Sequence, residues 1–283
     1  VVNVTDETQV LGGAANVINN VVSVGGHALL TGVVGQDRVG RKIIRMLKEL
    51  GSNTDGIFID ESRPTTLKTR IVAQAQQVVR FDREVRKPIS EKSRNLIIKA
   101  LQDFISEVDL VLISDYAKGV VSIELTSGLF PLAHKYGKWI IVDPKISNLH
   151  CYRGAELITP NHIEAGQAVR FEVEEDEEVE RAGRLLLKEL EAKAILITRG
   201  ERGMSLITNS GDVHHIPTQA REVYDVTGAG DTVISTLGVS LACGMDLYSA
   251  CLLANLSAGL GIAKLGTSVV SREELKDALI NGW

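Results

Sequence analysis

The spacing of apolar residues changes period several times along the chain. After the glycine pair in LGGAANVINNVVSVGG, Val17, Ile18, Val21 and Val22 recur at helical spacing. HALLTGVVG then reads as a strand ending in glycine. DRVGRKIIRMLKELG returns to a helical period: Ile43, Leu47 and Leu50 share a face, Asp37 is placed to cap the start and Gly51 to end it. Residues 67–82, LKTRIVAQAQQVVRFD, alternate instead, with β-branched residues around a polar middle, which predicts a hairpin. No helical partner follows it, so it is expected to stand off the main body as a flap. The opening VVNVTDETQV also alternates and is expected to pair with the hairpin, giving lid strands at about 1–10 and 67–82.

From Ser90 onward the pattern alternates between helix and strand. LVLIS, WIIVD, ELIT and AILIT are short aliphatic runs between helical segments, the mark of a mostly parallel sheet covered on both faces. The fold class is therefore α/β. The acidic run EVEEDEEVE is expected to open a solvated helix, since carboxylates suit helix N-termini. The most apolar region, Thr232 to Leu265, is broken by Gly244, Asp246, Asn255 and Lys264, which fits a buried helix pair better than a membrane span.

Ligands in open α/β sheets bind at the carboxyl ends of strands. Here those ends carry Asp115-Tyr116-Ala117-Lys118-Gly119, Asp143-Pro144-Lys145, Pro160-Asn161-His162-Ile163-Glu164 and Arg199-Gly200-Glu201-Arg202-Gly203. Four consecutive strands thus deliver polar residues to one edge, which predicts a cleft there.

Composition narrows the picture only slightly. The 283 residues are 44% hydrophobic and 24% charged, ordinary for a globular chain, and at 4% aromatic content the packing must be aliphatic. A net charge of −5 argues against general nucleic-acid affinity but leaves room for a local basic pocket. Cys151, Cys243 and Cys251 have no metal-ligand spacing and are expected as reduced, buried thiols of a cytoplasmic protein. The start has no basic n-region followed by a long apolar stretch, so no signal peptide and no membrane partner are expected.

The stretch DVTGAGD, Asp225 to Asp231, carries the sharpest chemistry. Gly228, Ala229 and Gly230 lack bulky side chains, so their amides can approach an anion at the positive end of the following helix. The motif is neither a Walker P-loop nor GxGxxG. Asp231, in the first helical turn, is expected to be ionised and is either a helix cap or a proton acceptor for an attacking hydroxyl. Asn161 and Glu164 are either a capping pair or an oxygen site for Mg²⁺, which keeps waters and bridges phosphates. GGAAN, Gly12 to Asn16, is either a plain turn or a place where backbone and amide meet sugar hydroxyls.

GGAAN, GVVGQDRVG, TPNHIEA and DVTGAGD, in that order, resemble the ribokinase-like (PfkB) carbohydrate kinases over essentially the whole chain. The resemblance implies one kinase domain over 1–283, a three-layer α/β/α body with a small β-sheet lid, and phosphoryl transfer from ATP with Mg²⁺. It implies Asp231 as catalytic base, with Gly228, Ala229 and Gly230 as the anion hole. Gly12, Gly13, Asn16 and Asp37 would hold the sugar. Asn161 and Glu164 would organise Mg²⁺ and phosphates, with Glu164 reaching the metal through water. Thr198, Arg199 and Gly203 would flank the nucleotide, Asn255 would lie near adenine, and Asp225 and Thr227 would bind a monovalent cation such as K⁺.

A narrower likeness lies in KTRIVAQAQQVVRFD, ISDYAKGV, VDPK and AREVYDVTGAGDTV, which are similar to the heptose-7-phosphate kinase branch of that family. That branch forms the kinase half of bifunctional kinase–adenylyltransferases of lipopolysaccharide synthesis. The acceptor implied is D-glycero-β-D-manno-heptose 7-phosphate, and the product is the 1,7-bisphosphate. A phosphorylated sugar needs cations, for which Lys118, Lys145, Arg70 and Arg80 are candidates, with Asp115 beside them. The family's first strand would precede Val1, and no adenylyltransferase motif is present, so only the kinase step is expected. A ribokinase- or fructokinase-type enzyme and an inactive sugar- or nucleotide-binding regulator are the alternatives. A dehydrogenase is disfavoured because no GxGxxG follows an early strand. The exposed edge of the lid suggests a homodimer through it.

Overall fold

In a computed structural model the chain is described over residues 3–73, 76–220, 223–264 and 269–282. The period-3.6 and aliphatic-run segments become the helices and strands of three layers. The middle layer is a six-stranded sheet. Its parallel part is β5 (Leu110–Ser114), β6 (Trp139–Asp143), β7 (Leu157–Ile158) and β8 (Ala194–Thr198), and β9 (Met204–Thr208) and β10 (Val213–Ile216) add an antiparallel edge.

Alternate residues of these strands serve opposite faces, as the two-residue period of a strand requires. Ile140, Val142, Ile158, Ile195, Ile197 and Ile207 pack under α4 (Ile123–Lys135), α5 (His162–Val169) and α6 (Asp176–Leu190). Ile141, Leu157, Ala194, Leu196 and Leu206 pack under α1 (Ala14–Ser23), α7 (Ala229–Ala242) and α8 (Leu247–Ile262). With both faces covered, each fully buried aliphatic side chain contributes about 1.5–3 kcal/mol. The acidic run opens α6 as its sequence suggests: Asp176, Glu177 and Glu178 occupy the first turn, while Val179, Ala182 and Leu186 face the core. The apolar region near the C-terminus forms the packed pair α7 and α8. Among the described residues no helix is long and apolar enough to cross a membrane.

A separate parallel pair joins β1 (Leu29–Val34) and β2 (Asn53–Ile59). On one side it is covered by α1 and α2 (Arg38–Glu49) through Ala15, Ile18 and Leu47, with Leu11 from the segment before α1. On the other, Val33 and Phe58 meet Ile97 of α3 (Glu91–Phe104). The third sheet is the antiparallel hairpin of β3 (Leu67–Ala73) and β4 (Gln76–Arg83). The short helix α9 (Arg272–Asn281) closes the described chain.

The structure differs from the sequence reading in three places. Residues 3–10 form no strand and are exposed, so among the described residues the hairpin pairs only with itself; residues 1 and 2 lie outside the described residues. Strands β2, β9 and β10 did not stand out in the hydrophobic pattern, because β2 begins with polar NTD and β10 is the short VHHI. Cys243 is exposed, unlike the buried Cys151 and Cys251, because it lies just past the end of α7.

Gly203 shows how tightly the end of β8 is built. It has φ 78°, and a Cβ on it would lie 2.1 Å from the Ile216 carbonyl oxygen. Gly203→Ala is therefore expected to destabilise the fold by on the order of 3 kcal/mol, combining left-handed strain with overpacking. A fall in the urea midpoint at unchanged m-value checks this; an unshifted midpoint would show that the turn tolerates a side chain.

Candidate active site

The carboxyl ends of the parallel strands meet as the sequence suggests. The Asp115 amide donates to the Asp143 carbonyl, and Asn161 bridges to Thr198 at the end of β8. Lys145 Nζ lies 2.5 Å from Glu164 Oε1, so the ends of β6 and β7 are tied by an ion pair.

Asp231 faces this edge from the first turn of α7. The turn begins at Gly228, whose φ of 86° is a conformation glycine adopts without a Cβ penalty. A Cβ on Gly230 would meet nothing within 4 Å, so that face of the turn is open. The Ala229 amide donates to the Val226 carbonyl, whereas the Gly230 and Asp231 amides donate to no protein group among the described residues. Unpaired first-turn amides at the positive end of a helix suit an anion.

Only 7% of Asp231 is exposed. Its Oδ2 accepts from Asn16 Nδ2 at 2.7 Å and its Oδ1 from the Tyr116 hydroxyl at 2.6 Å. Burial raises the Asp231 pKa above its ordinary 3.8, while those two donors and Lys145 pull it back. The sequence suggested a simply stabilised anion at a helix terminus; burial opposes that, and the ionised form depends on its donors.

The fate of the other candidates is uneven. Gly12 and Gly13 form the turn before α1, with Gly13 at φ 59°, and Asn16 on α1 lies against the carboxylate. Asp37 caps α2 by accepting from the Gly40 amide, and its second oxygen takes the Thr65 amide and Arg83 Nη2, each at 2.9 Å. Asp115 is buried and accepts from the Ala117 amide, Asn148 Nδ2 and the Tyr152 hydroxyl. Its carboxylate therefore braces the loop. That loop carries Ala117 at φ 52°, a left-handed residue other than glycine, which costs roughly 1–2 kcal/mol. Lys118 Nζ is 2.5 Å from Glu84 Oε2.

Asn161 and Glu164 form a reciprocal capping box on α5, and Glu164 also takes the Lys145 ammonium. Arg199 is buried, and its guanidinium binds Asp176, Ser205 and the Glu174 carbonyl at the start of α6. Asn255 donates to the Pro217 carbonyl from the buried face of α8. Asp225 Oδ1 accepts from the Thr227 amide, so those two lie together at the loop entrance. Arg70 and Arg80 stand directly opposite each other on the hairpin.

Two site residues carried no role in the sequence reading. Tyr116 and Asp143 both lie in strand-end runs, which was the available signal. Burial pushes Asp143 up to about 7; Lys145 opposes this, while Asp231, Glu164 and Asp115 add to it. These carboxylates thus share one ammonium. Among the described residues no group of three is arranged to hold a metal unaided. Mg²⁺ is usually held by one or two carboxylates plus phosphates, and this negative edge fits that donor set.

The chain matches the pfkB family carbohydrate kinases over residues 1–274. It is 43% identical over 279 residues to the bifunctional protein HldE of Desulfatibacillum aliphaticivorans, covering 99% of this chain and 57% of that protein. With the bifunctional protein HldE of Helicobacter pylori it shares 42% identity over 275 residues, 97% of this chain and 59% of that one. The chain thus spans a little over half the length of these curated relatives. A putative ribokinase from Agrobacterium tumefaciens superposes with TM-score 0.78 at 25% identity, covering 96% of this chain and 86% of that one. Phosphofructokinase-2 from Escherichia coli in complex with potassium gives TM-score 0.77 at 20% identity, covering 94% and 85%, a likeness of fold alone.

Asp37 ties this site to acid stability. Burial works against its charge, yet the Gly40 and Thr65 hydrogen bonds and Arg83 lower its pKa from 3.8 to about 2. A depressed carboxylate stabilises the fold above its unfolded pKa and loses that contribution as pH falls through its folded value. Asp37→Asn is therefore expected to be less stable by on the order of 1–2 kcal/mol at neutral pH, with the gap to wild type closing from about pH 4 to about pH 2. Urea midpoints across that range check it, and a gap independent of pH would remove the electrostatic cause.

Proposed function

The chain belongs to the pfkB family of carbohydrate kinases, and from that premise we propose that it phosphorylates the anomeric hydroxyl of D-glycero-β-D-manno-heptose 7-phosphate. ATP is the donor, and heptose 1,7-bisphosphate and ADP are the products. The observation that carries the chemistry is the first turn of α7: a buried carboxylate beside amides with no protein partner among the described residues. Asp231 accepts the proton of the acceptor hydroxyl. The acceptor oxygen forms its bond to the γ-phosphorus as the bond to the β-phosphate oxygen breaks, and ADP leaves. The Gly230 and Asp231 amides offer hydrogen bonds to charge on the transferring group.

Asn161, Thr198 and Gly203 border the nucleotide, with Asn255 on the adenine side. Glu164 and Asp143 would hold Mg²⁺, which supplies charge neutralisation to the phosphates when bound. Asp225 and Thr227 are the candidates for K⁺, the ion named for the Escherichia coli phosphofructokinase-2 structure.

The acceptor assignment is supported by the relatives named bifunctional protein HldE and by the hairpin. In register, Lys68, Arg70, Arg80 and Asp82 share one face. Like charges directly opposite are unfavourable unless an anion neutralises them; Asp82 pairs with Arg80 and Lys68, which leaves Arg70 without an ion pair among the described residues. A sugar phosphate supplies that anion. The opposite face carries Leu67, Ile71, Val79 and Phe81, which fits pairing with a second copy as a homodimer.

ADP release with heptose 7-phosphate, ribose, fructose and fructose 6-phosphate tests the acceptor; turnover of free sugars alone would overturn it. Arg70→Gln and Arg80→Gln are each expected to raise KM for the sugar phosphate about tenfold, with KM for ATP unchanged. Asp231→Asn is expected to bind ATP normally by calorimetry and to lose turnover by about a thousandfold; wild-type turnover in that variant would remove it as the base.

A further inference from the structure

Tyr116 is the feature of this edge that neither the motifs nor the proposed chemistry assigns. Its hydroxyl donates to Asp231 Oδ1 at 2.6 Å, while the other carboxylate oxygen takes Asn16 Nδ2 at 2.7 Å. The two donors come from separate parts of the chain, Asn16 from α1 and Tyr116 from the loop after β5. That loop is braced on both sides of the tyrosine. The Asp115 carboxylate accepts from the Ala117 amide at 2.7 Å, Asn148 Nδ2 at 2.7 Å and the Tyr152 hydroxyl at 2.5 Å. The Tyr116 ring lies beside the glycine turn, where a Cβ on Gly13 would be 3.7 Å from two of its carbons.

We propose that Tyr116 is a positioning residue for the general base: its phenol pins one oxygen of Asp231, so that the carboxylate keeps one orientation and turns its remaining lone pairs to the acceptor hydroxyl. The inference rests on the reading of Asp231 as that base. It also makes Tyr116 part of what keeps the base ionised. The groups acting on Asp231 are Asn16 from α1, Tyr116 from the β5 loop, and Lys145 and Asp143 from the end of β6. Burial raises its pKa, and Asn16, Tyr116 and Lys145 restrain it. Removing the phenolic donor raises it further, so the acid limb of the rate profile moves to higher pH.

The test is a kinetic double-mutant cycle on the purified chain. ADP release is followed with heptose 7-phosphate, or with whichever sugar of the panel is turned over. Tyr116→Phe is expected to lower kcat by about 10–100-fold, with both KM values within about threefold of wild type. Its acid limb is expected at higher pH. In an Asp231→Asn background the same substitution is expected to change the residual single-turnover rate less than about twofold, because the group it positions is gone. A purely structural tyrosine would give equal losses in both backgrounds and leave the acid limb in place; that result, or wild-type kcat in Tyr116→Phe, overturns the proposal. Should Tyr116→Phe melt early, the cycle is run below its midpoint, where the ratio between backgrounds still decides. Full turnover in Asp231→Asn alone sinks the base assignment instead, and with it this inference.

Discussion

A carboxylate taken out of water is the constraint around which this edge is organised. Moving a charge into the interior carries an effective penalty of several kcal/mol unless donors replace the lost water. Asp231 meets that requirement with Asn16 and Tyr116. The consequences extend along two helices. Asn20 donates to the Asn16 carbonyl and accepts from Thr232, and Ser235 donates to the Val17 carbonyl. The contact between α1 and α7 is therefore apolar through Val17, Val21, Val233 and Leu237, and polar along one seam. The seam fixes the register of the two helices, so the glycine turn at the start of α1 always lies opposite the glycine turn at the start of α7.

The same edge is short of positive charge. Asp115, Glu164 and Asp231 all act on Asp143, and Lys145 is the ammonium that opposes them. Burial works against the Lys145 charge, but the Glu164 bond together with the negative charges of Glu164, Asp143 and Asp115 outweighs it and raises its pKa. An edge of this kind repels a bare polyphosphate and accepts one that arrives with a cation. On the proposed function, the first-turn amides of α7 and the acidic strand ends would be complementary halves: one would receive phosphate oxygens, the other the cation that accompanies them. Glu164 belongs to both the fold and this electrostatic surface, since one of its oxygens completes the α5 cap while the other holds Lys145.

Much of this was legible before the structure. The parallel strands and the helix pair α7–α8 followed from aliphatic runs, and Asp37 and Gly51 correctly punctuated α2, because these signals are local. The glycine loop was legible for the same reason. What could not be read was partnership across the chain. Asn16 and Asp231 are separated by 215 positions, and no spacing rule connects them. Asp115 looked like a ligand residue because a strand-end carboxylate usually faces solvent; here three donors from later residues turn it inward. Arg199 looked like a nucleotide contact, yet the acidic start of α6 takes its guanidinium. The opening segment alternates like a strand, and alternation alone does not provide a neighbour to pair with.

The hairpin brings these threads together, because its root and its arm are held differently. At the root, Arg83 binds Asp37, Glu84 binds Lys118, and the buried Arg63 guanidinium bridges the Lys118 and Lys87 carbonyls. Lys118 stands two residues from Tyr116. The base of the hairpin is thus wired both to the cap of α2 and to the loop that carries the tyrosine. The arm beyond it is a two-stranded sheet with no strand partner outside itself among the described residues. An isolated two-stranded hairpin is marginally stable in water, so the arm depends on its root for its place on the body. Under the proposed function the arm would present Arg70 and Arg80 to the acceptor phosphate, while its root is tied to Asp37 and to Lys118 beside the tyrosine loop. Phosphate recognition and base orientation would then fall to two parts of the chain, the hairpin arm and the loop after β5, that the hairpin root connects.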